Sequence, residues 1–331
     1  NGACAEDIPE NVTIDELVTK LMIAKSHTRD GEAVHFGNDP SRMRDWLTAK
    51  MYNAMGVHAA RMGFAEIAID GANVGPYVVS QVIDKRFLKE RFGEAADADD
   101  GNLYKCVYND FGACALQWLG DNKSDYYHDV GCQPGFDDCG LVLQTNEDDP
   151  SRNDYADLID FLDVLHHTPP DQFEAAFAAV FDVDHFLRLA AVAFATSNGD
   201  SYFGKGHNYY LYRRSDGRFQ MIPWDFDLAY GQYFCDADIA DPTCGQPDSH
   251  PLTQKILAVP AWRAQYLAYL EEVATDWLTP KQHEVWIDAA DAIVRDAVAR
   301  DPNAPQDEGT YDKQISPTYE DSFEYAGNLY R

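Results

Sequence analysis

Positive charge is scarce in this chain. Lysine and arginine together number 26 against 56 aspartates and glutamates, which gives a net charge of −30 at pH 7. A surface of this sign repels nucleic acid and anionic membranes, so we expect neither as a partner. It suits a basic partner, divalent cations or high salt, and it serves solubility alone equally well.

Long apolar runs are also missing. No stretch of about 18 consecutive apolar residues occurs, which predicts that the chain has no membrane span. We find no internal repeat and no low-complexity segment. The 331 residues, 45% of them hydrophobic, suffice for one large domain or two joined lobes. The chain starts at Asn1 without a visible signal peptide, so we expect processing or further sequence upstream.

The seven cysteines lack the spacing of a structural zinc site, because no Cys-x-x-Cys pair or suitably placed histidine accompanies them. Six of them form local pairs in polar segments. The predicted disulfides are Cys106–Cys114, Cys132–Cys139 and Cys235–Cys244, with Cys4 left over. Such pairs indicate an oxidising compartment, and hence a secreted or surface protein. Seven buried thiols are the alternative.

The first half of the chain predicts a mixture of helices and strands. Spacing, capping and turn residues define the individual elements. They are a helix near 14–24, a helix from Asp39 or Ser41 to Gly56, strands near 64–69 and 74–83 joined by Asp70-Gly71, and a strand at 103–108. The segment 109–150 is rich in Gly, Asp and Cys, and it predicts a long loop that is functional or cross-linked.

The second half is predominantly helical, with one late hairpin. The predicted helices cover 155–165, 173–181, 186–196 with Asp184 as its cap, 252–277 and 284–299, and the hairpin covers 208–224. We therefore predict an α+β fold of two lobes. Its regions are an N-terminal extension or partial N-lobe at 1–37, an N-lobe-like part at 38–150, a helical C-lobe-like part at 151–300 and a peripheral tail at 301–331.

Three polar residues around the hairpin have the spacing of a magnesium site. Asp200 follows an apolar helix that we expect to end at Gly199, Asn208 opens the hairpin, and Asp225 closes it. A loop Asp, a strand-start Asn and a strand-end Asp can meet at one edge, and such oxygen ligands suit Mg²⁺ that also binds phosphates. The alternative is structural, with Asp225 paired to an arginine and Asp227 capping a turn.

The order of these residues is also that of protein kinases. In kinases a catalytic Asp precedes an Asn ligand, a hairpin and a metal-binding Asp followed by Phe. Here the order is Asp200, Asn208, hairpin and Asp225-Phe226. No His-Arg-Asp triplet precedes Asp200, and the spacing from Asp to Asn is longer than in standard kinases.

One longer segment, HNYYLYRRSDGRFQMIPWDFDLAYG, closely resembles the signature of the CotH family, the secreted and spore-coat atypical protein kinases. Further segments resemble that family in the same order, so that the resemblance covers roughly 38 to 300. They are DPSRMRDWLTAKMYNAMGV, DGANVGPYVVSQVIDKRFLKERFG, GNLYK, FDVDHFLRLAAVAFATSNGDSY and HPLTQKILAVPAWRAQYLAYL.

The resemblance implies a two-lobed, kinase-like fold that uses ATP with Mg²⁺ or Mn²⁺ to phosphorylate Ser or Thr of extracellular or coat proteins. The implied site residues are Asp200 as catalytic acid, Asn208 and Asp225 as metal ligands, Asp227 as a second ligand or a turn cap, and Lys105, Gln81 and Trp224 on the nucleotide side. Lys105 contacts phosphate or forms a structural ion pair. The acidic surface favours a basic or neutral acceptor sequence.

Two features depart from the family. Gln81 stands where the family usually has Glu, and the strands that would cover the phosphates are not evident in residues 1–37. They favour an alternative, a catalytically inactive kinase fold that acts as a binding or adhesion domain, with Ca²⁺ in its acidic loops. A glycan or small-molecule kinase on the same fold is a further alternative.

Overall fold

The structure is a computed structural model that describes residues 21–23, 39, 41–93, 99–107, 112–133, 135–230, 239–240, 242, 250–302, 310–316, 323–325 and 328–330. The fold is α+β, as predicted. The chain forms two compact units, the first built from 1–50, 60–82 and 277–331 and the second from 51–59 and 83–276. The residue ranges of these units differ from those of the lobes expected from the sequence. The lobe boundaries stay a prediction.

All the sheets are antiparallel. The strands are β1 (Leu21–Ile23), β2 (Met62–Ile69), β3 (Ala72–Gln81), β4 (Leu103–Val107), β5 (Tyr127–His128), β6 (Cys139–Leu143), β7 (Tyr209–Arg213), β8 (Phe219–Pro223), β9 (Phe323–Tyr325) and β10 (Asn328–Tyr330). The first unit holds the sheets β1-β3-β2 and β10-β9, and the second holds one five-stranded sheet in the order β5-β6-β4-β7-β8.

Helices occur in both units. They are α1 (Arg44–Ala54), α2 (Lys85–Phe92), α3 (Ala156–His167), α4 (Pro170–Val180), α5 (Val183–Ala195), α6 (Tyr202–Lys205), α7 (Pro251–Leu257), α8 (Pro260–Glu272), α9 (Pro280–Ala299) and α10 (Thr310–Gln314). Short 3₁₀ turns lie at Ala113–Ala115 and Lys123–Asp125, and a π-helical turn lies at Val273–Trp277. Among the described residues, none of these helices combines the length and apolar character that a membrane crossing requires.

Local sequence rules explain the elements of the first unit. The Asp39 carboxylate accepts hydrogen bonds from the backbone N–H groups of Ser41 and Arg44, at 2.9 and 2.8 Å, so it caps α1 as predicted. Asp70 and Gly71 have φ of 52° and 81°, the left-handed pair that a tight hairpin turn between β2 and β3 requires.

The structure corrects several predictions about individual elements. Residues 21–23 form a strand paired with β3, while the rest of the predicted helix at 14–24 lies outside the described residues. The segment 109–150 is cross-linked, as predicted, but it is not one long loop, since it contains β5 and the fully buried β6. The helix predicted at 252–277 is divided before Pro260, whose ring disfavours a helical residue in front of it. Asp182, rather than Asp184, caps α5 by accepting from the His185 N–H.

Aromatic packing anchors the late hairpin to the helices of the second unit. The Phe161 ring lies 4.9 Å from that of Phe219 on β8 and 5.6 Å from that of Phe181. Phe177 extends the cluster, with its ring 5.2 Å from Phe181. The Asp182 N–H donates to the Phe219 carbonyl at 2.8 Å, which ties the start of α5 to β8.

Two of the predicted disulfides are present, Cys106–Cys114 and Cys132–Cys139. The first joins β4 to a 3₁₀ turn, and the second joins the loop after β5 to the start of β6. The third predicted disulfide and Cys4 lie outside the described residues.

A buried histidine pair crosses the core of the second unit. The His58 N–H donates to Nε2 of His185 at 3.0 Å, and the Gln220 amide donates to Nδ1 of His58 at 2.8 Å. Burial, reinforced by Arg91 and Arg214, lowers the pKa of His58 to about 4. Burial also lowers the pKa of His185 well below its usual value. Both imidazoles are therefore neutral near pH 7 and act as acceptors in this chain of hydrogen bonds.

The aromatic cluster predicts a clear difference between two Phe→Ala substitutions. Phe177 is fully buried, so Phe177→Ala should lower the free energy of unfolding by about 3 to 5 kcal/mol through lost packing and a cavity. Phe136 is 54% exposed, and Phe136→Ala should change it by less than about 0.5 kcal/mol. Denaturant unfolding of the two variants measures both values, and equal effects would contradict this description of the core.

The histidine pair predicts a loss of stability in mild acid. The unfolded chain binds a proton at each histidine below pH 6.5, whereas folded His58 resists protonation down to about pH 4. Stability is therefore complete above pH 6.5 and falls as the pH decreases from 6.5 towards 4. His58→Asn keeps an acceptor for Gln220 but does not titrate, so the fall in melting temperature over this interval should be shallower than in the wild type. An unchanged pH dependence would exclude His58 as a source.

Candidate functional site

The ends of the hairpin bring two chain segments together. Strands β7 and β8 pair from Arg213–Phe219 at the turn to Tyr209–Pro223 at the other end. The Trp224 N–H then donates to the Asn208 carbonyl at 3.0 Å, which extends the ladder by one position. Asn208 and Asp225, predicted to meet at one edge, therefore flank the same end of the hairpin.

A short loop brings Asp200 to that end. Helix α5 ends at Ala195, and Ser197, with φ of 49°, is the left-handed residue after it. The prediction that Gly199 ends the helix is wrong, because the N–H of Asn198 already turns back to bond the Ala193 carbonyl at 2.8 Å. Helix α6 then leads the chain back to the hairpin.

Asn208 holds Asp200 directly. Its Nδ2 donates to the Asp200 carbonyl at 2.7 Å and to the Asp200 carboxylate at 3.2 Å. Both contacts use the amide nitrogen, which leaves Oδ1 as the acceptor that a cation can use. The structure thus brings together the two residues that were predicted as catalytic acid and metal-side Asn.

His207 is a site residue that was not among those predicted from the sequence. Its side chain is only 20% exposed, and Nε2 lies 2.9 Å from Oδ1 of Asp200. The Asp200 carboxylate therefore has a ring nitrogen on one oxygen and the Asn208 amide on the other. The position of His207 directly before Asn208 was the available signal.

A buried aromatic residue anchors the two acids after β8. Phe226 is fully buried, and its ring centroid lies 5.1 Å from that of Tyr52. Asp225 and Asp227, on either side of it, are partly exposed. Asp225 has φ of 60° and Asn208 has φ of 58°, a conformation that Asn and Asp tolerate better than most residues. Such backbone outliers cluster at functional sites.

Lys105 and Trp224 both approach the ring of Tyr210. Lys105 is paired with Tyr210 across β4 and β7, and its ammonium is 5.8 Å from the centre of that ring. The Trp224 ring meets the same tyrosine edge to face at 6.0 Å. Burial lowers the pKa of Lys105, while the carboxylates of Asp225 and Asp138 act in the opposite direction. Lys105 therefore shares an electrostatic environment with Asp225, and its role stays a prediction.

Gln81 belongs to the first unit, at the end of β3. Its N–H donates to the Arg61 carbonyl at 2.8 Å, and its Oε1 accepts from the Arg61 N–H at 3.3 Å. These bonds fix the side chain against the residue that precedes β2. Its predicted place on the nucleotide side stays a prediction, as does that of Asp227 as a ligand or cap.

The oxygen atoms of Asp225 and Asn208 fit a cation that also binds phosphates better than a cation enclosed by protein ligands alone. Within the described ranges, no group of three or more His, Cys, Asp or Glu side chains has the arrangement of a metal site. Magnesium needs only one or two carboxylates when phosphates and water complete its shell, whereas calcium takes six to eight oxygens. The Asp225 carboxylate and the Asn208 Oδ1 thus suit Mg²⁺ bound together with phosphates.

A disulfide braces the same end of the sheet. Cys106 follows Lys105 on β4, and its partner Cys114 accepts a hydrogen bond through its carbonyl from the Tyr209 hydroxyl at 2.7 Å. Tyr209 follows Asn208 and is itself buried. The cross-link therefore connects the strand of Lys105 to the first residue of β7.

The backbone at Asn208 predicts an unusual order of stability. Asn208→Gly removes the hydrogen bonds to Asp200, but glycine adopts the left-handed conformation without strain. Asn208→Ala removes the same hydrogen bonds and also strains the backbone. The glycine variant should therefore be more stable than the alanine variant by about 1 kcal/mol, and both less stable than wild type. Asn53, within α1, is the matched control, where the glycine variant should be less stable than the alanine variant. Denaturant unfolding tests the order, and Asn208→Ala equal to Asn208→Gly would contradict it.

Comparisons with known proteins identify the family of this chain. The sequence model of the CotH kinase protein family matches residues 35–326. The inner spore coat protein H of Bacillus subtilis strain 168 is 27% identical over 277 residues, which is 83% of this chain and 70% of that protein. Invasin CotH2 of Rhizopus delemar is 22% identical over 203 residues, which is 60% of this chain but only 31% of the invasin. This chain therefore belongs to the CotH kinase protein family.

Proposed function

We propose that the chain is a phosphotransferase of two-lobed, kinase-like architecture that moves the γ-phosphate of Mg-ATP to a Ser or Thr hydroxyl. The observation that carries the proposal is the pair of hydrogen bonds from the Asn208 amide to Asp200, at the hairpin end where Asp225 also lies. Phosphoryl transfer requires positioning and charge neutralisation more than covalent chemistry, so a few fixed side chains suffice.

Each side chain has a distinct role in this proposal. Asp200 orients the acceptor hydroxyl and takes its proton, and the bonds from His207 and Asn208 keep its carboxylate in position. Asp225 and the Asn208 Oδ1 would hold the cation, with Asp227 as a second ligand or a turn cap. When bound, Mg²⁺, or Mn²⁺ in its place, neutralises phosphate charge. Lys105, beside Asp225, contacts phosphate or balances that carboxylate.

The proposed acceptor is an extracellular or coat protein. Relatives named as a spore coat protein and as an invasin support a coat or surface location, and the two disulfides are compatible with an oxidising compartment. A net charge of −30 favours acceptor sequences with basic or neutral residues around the hydroxyl.

Gln81 favours a second candidate, an inactive kinase fold that serves in binding or adhesion. The amide replaces the carboxylate usual in the family, and it is engaged with Arg61. Against this candidate, His207 and Asn208 together hold the Asp200 carboxylate, which a binding module does not require. A Ca²⁺ role is less well supported, because the described residues contain no group of three carboxylates that could share an ion.

The proposal predicts a large loss of phosphate transfer in two variants. Incubation with labelled ATP and Mg²⁺ or Mn²⁺, with serine-containing peptides as acceptors, should show incorporation by the wild type. Asp225→Asn and Asp200→Asn should each reduce it by about 10³-fold or more, because a charge that is used in the transition state is removed. Asp160→Asn, on the exposed side of α3, is the matched control and should be unaffected. Equal incorporation by wild type and Asp225→Asn would overturn the proposal.

A thermal-shift measurement separates the two candidates. Mg-ATP should raise the melting temperature of the wild type but not that of Asp225→Asn, since only a chain that binds the nucleotide is stabilised by it. A wild type that is indifferent to Mg-ATP supports the binding module. Transfer to glycans or small hydroxyl compounds, with none to peptides, would indicate a different acceptor class on the same site.

A further inference from the structure

A second site lies at the opposite end of β8. There a cavity of about 330 Å³ opens within the second unit. Its lining residues are Gly56, His58, Arg91, Phe92, Asp182, Asp184, His185, Arg188, Arg214 and Gln220. Gln220 is the second residue of β8, and Trp224 follows that strand, so the cavity and the candidate site are separated by roughly 13 Å along the chain.

Three arginines from different elements converge on this cavity. Arg91, on α2, donates to the Ala59 carbonyl at 2.8 Å. Arg188, on α5, bonds Asp184 at 3.0 Å and stacks on the Tyr269 ring at 4.1 Å. Arg214, directly after β7, forms an ion pair with Asp182. The side chains of Arg188 and Arg214 remain 30% and 27% exposed, so both are accessible from solvent.

The charge in the cavity is opposite to that of the whole chain. Among its lining residues three guanidinium groups face two carboxylates, and both histidines are neutral. Asp216 also contacts Arg214, but it is bound at the same time by Arg218. The arginines act on the histidines as positive neighbours: Arg91 and Arg214 add to the effect of burial on His58, and Arg214 and Arg188 add to it on His185. Because the whole chain carries a net charge of −30, a positive concavity of this kind is a local exception, and an anion is the ligand that it favours.

We propose that this cavity binds the phosphate group of a small phosphomonoester. The planar fork of a guanidinium matches two phosphate oxygens at once, and three such forks on separate elements can surround one phosphate. The volume leaves room for a small organic group beyond the phosphate itself. The site needs no metal ion, and it is independent of the nucleotide site at the other end of β8.

Isothermal titration of the whole chain, without nucleotide or divalent cation, tests this proposal. The probes are O-phospho-L-serine, inorganic phosphate and serine, in KCl of matched ionic strength. O-phospho-L-serine should bind at least as tightly as inorganic phosphate, and serine should not bind. Arg91→Gln and Arg214→Gln should each weaken phosphoserine binding by about tenfold or more, as expected for the loss of a charged hydrogen-bond donor. Arg295→Gln, a guanidinium on α9 paired with Asp291, is the matched control and should bind like the wild type.

Two further variants keep the test decisive. Arg214→Lys retains the positive charge but lacks the planar guanidinium fork, so it should bind phosphoserine more weakly than the wild type. It provides the test if the melting curve of Arg214→Gln shows that this variant does not fold. Asp225→Asn should leave phosphoserine binding unchanged, since it alters only the other site. Binding of inorganic phosphate alone, equal binding by wild type, Arg91→Gln and Arg214→Gln, or loss of binding in Asp225→Asn would each overturn the proposal.

Discussion

The hydrogen bonds from the Asn208 amide to Asp200 are the contacts on which the candidate site depends. They join the loop after α5 to the start of the hairpin, eight residues further along the chain. The hairpin can hold Asn208 in its left-handed conformation because β7 and β8 are buried along almost their whole length and pinned by the Phe161 and Phe219 rings. Core packing thus fixes a polar contact at the edge of the sheet, and that contact positions the acid.

The two ends of β8 lie in regions of opposite charge. Carboxylates follow β8 at Asp225 and Asp227, whereas guanidinium groups surround its beginning near Gln220. Both regions are proposed to meet phosphate, but by different means. At the acidic end a cation must come between carboxylate and phosphate, because like charges repel. At the basic end the arginines reach the phosphate directly. A chain of strongly negative net charge can bind an anion by either of these two means.

Much of the fold follows from short-range rules in the sequence. The Asp39 cap, the Asp70-Gly71 turn and the hairpin around Gly217 were predictable because each depends on residues within a few positions of one another. The strands β5 and β6 were not, since both are short, β6 is defined by pairing with β4 more than thirty residues before it, and β5 is defined by pairing with β6. The break before Pro260 was visible in the sequence, but helical periodicity on both sides concealed it.

The site was predictable to a similar degree. Spacing placed Asp200, Asn208 and Asp225 near one hairpin end, and the structure brings Asp200 and Asn208 into contact. His207 was not among the predicted site residues, because a histidine just before a strand usually belongs to an exposed loop, and only the fold shows its contact with Asp200. The cavity of arginines could not be predicted either, as its members come from α2, α5 and the turn after β7, and only the tertiary fold assembles them.

The most direct test of this account is a crystal structure of the chain with Mg²⁺ and a non-hydrolysable ATP analogue. The account predicts an ion bound by an Asp225 carboxylate oxygen and by Oδ1 of Asn208 at about 2.0 to 2.1 Å, with phosphate oxygens in the remaining positions. Asp200 should stay bonded to Nδ2 of Asn208 and face the γ-phosphate. An ion or nucleotide held by other residues, with Asp225 and Asn208 uninvolved, would contradict it.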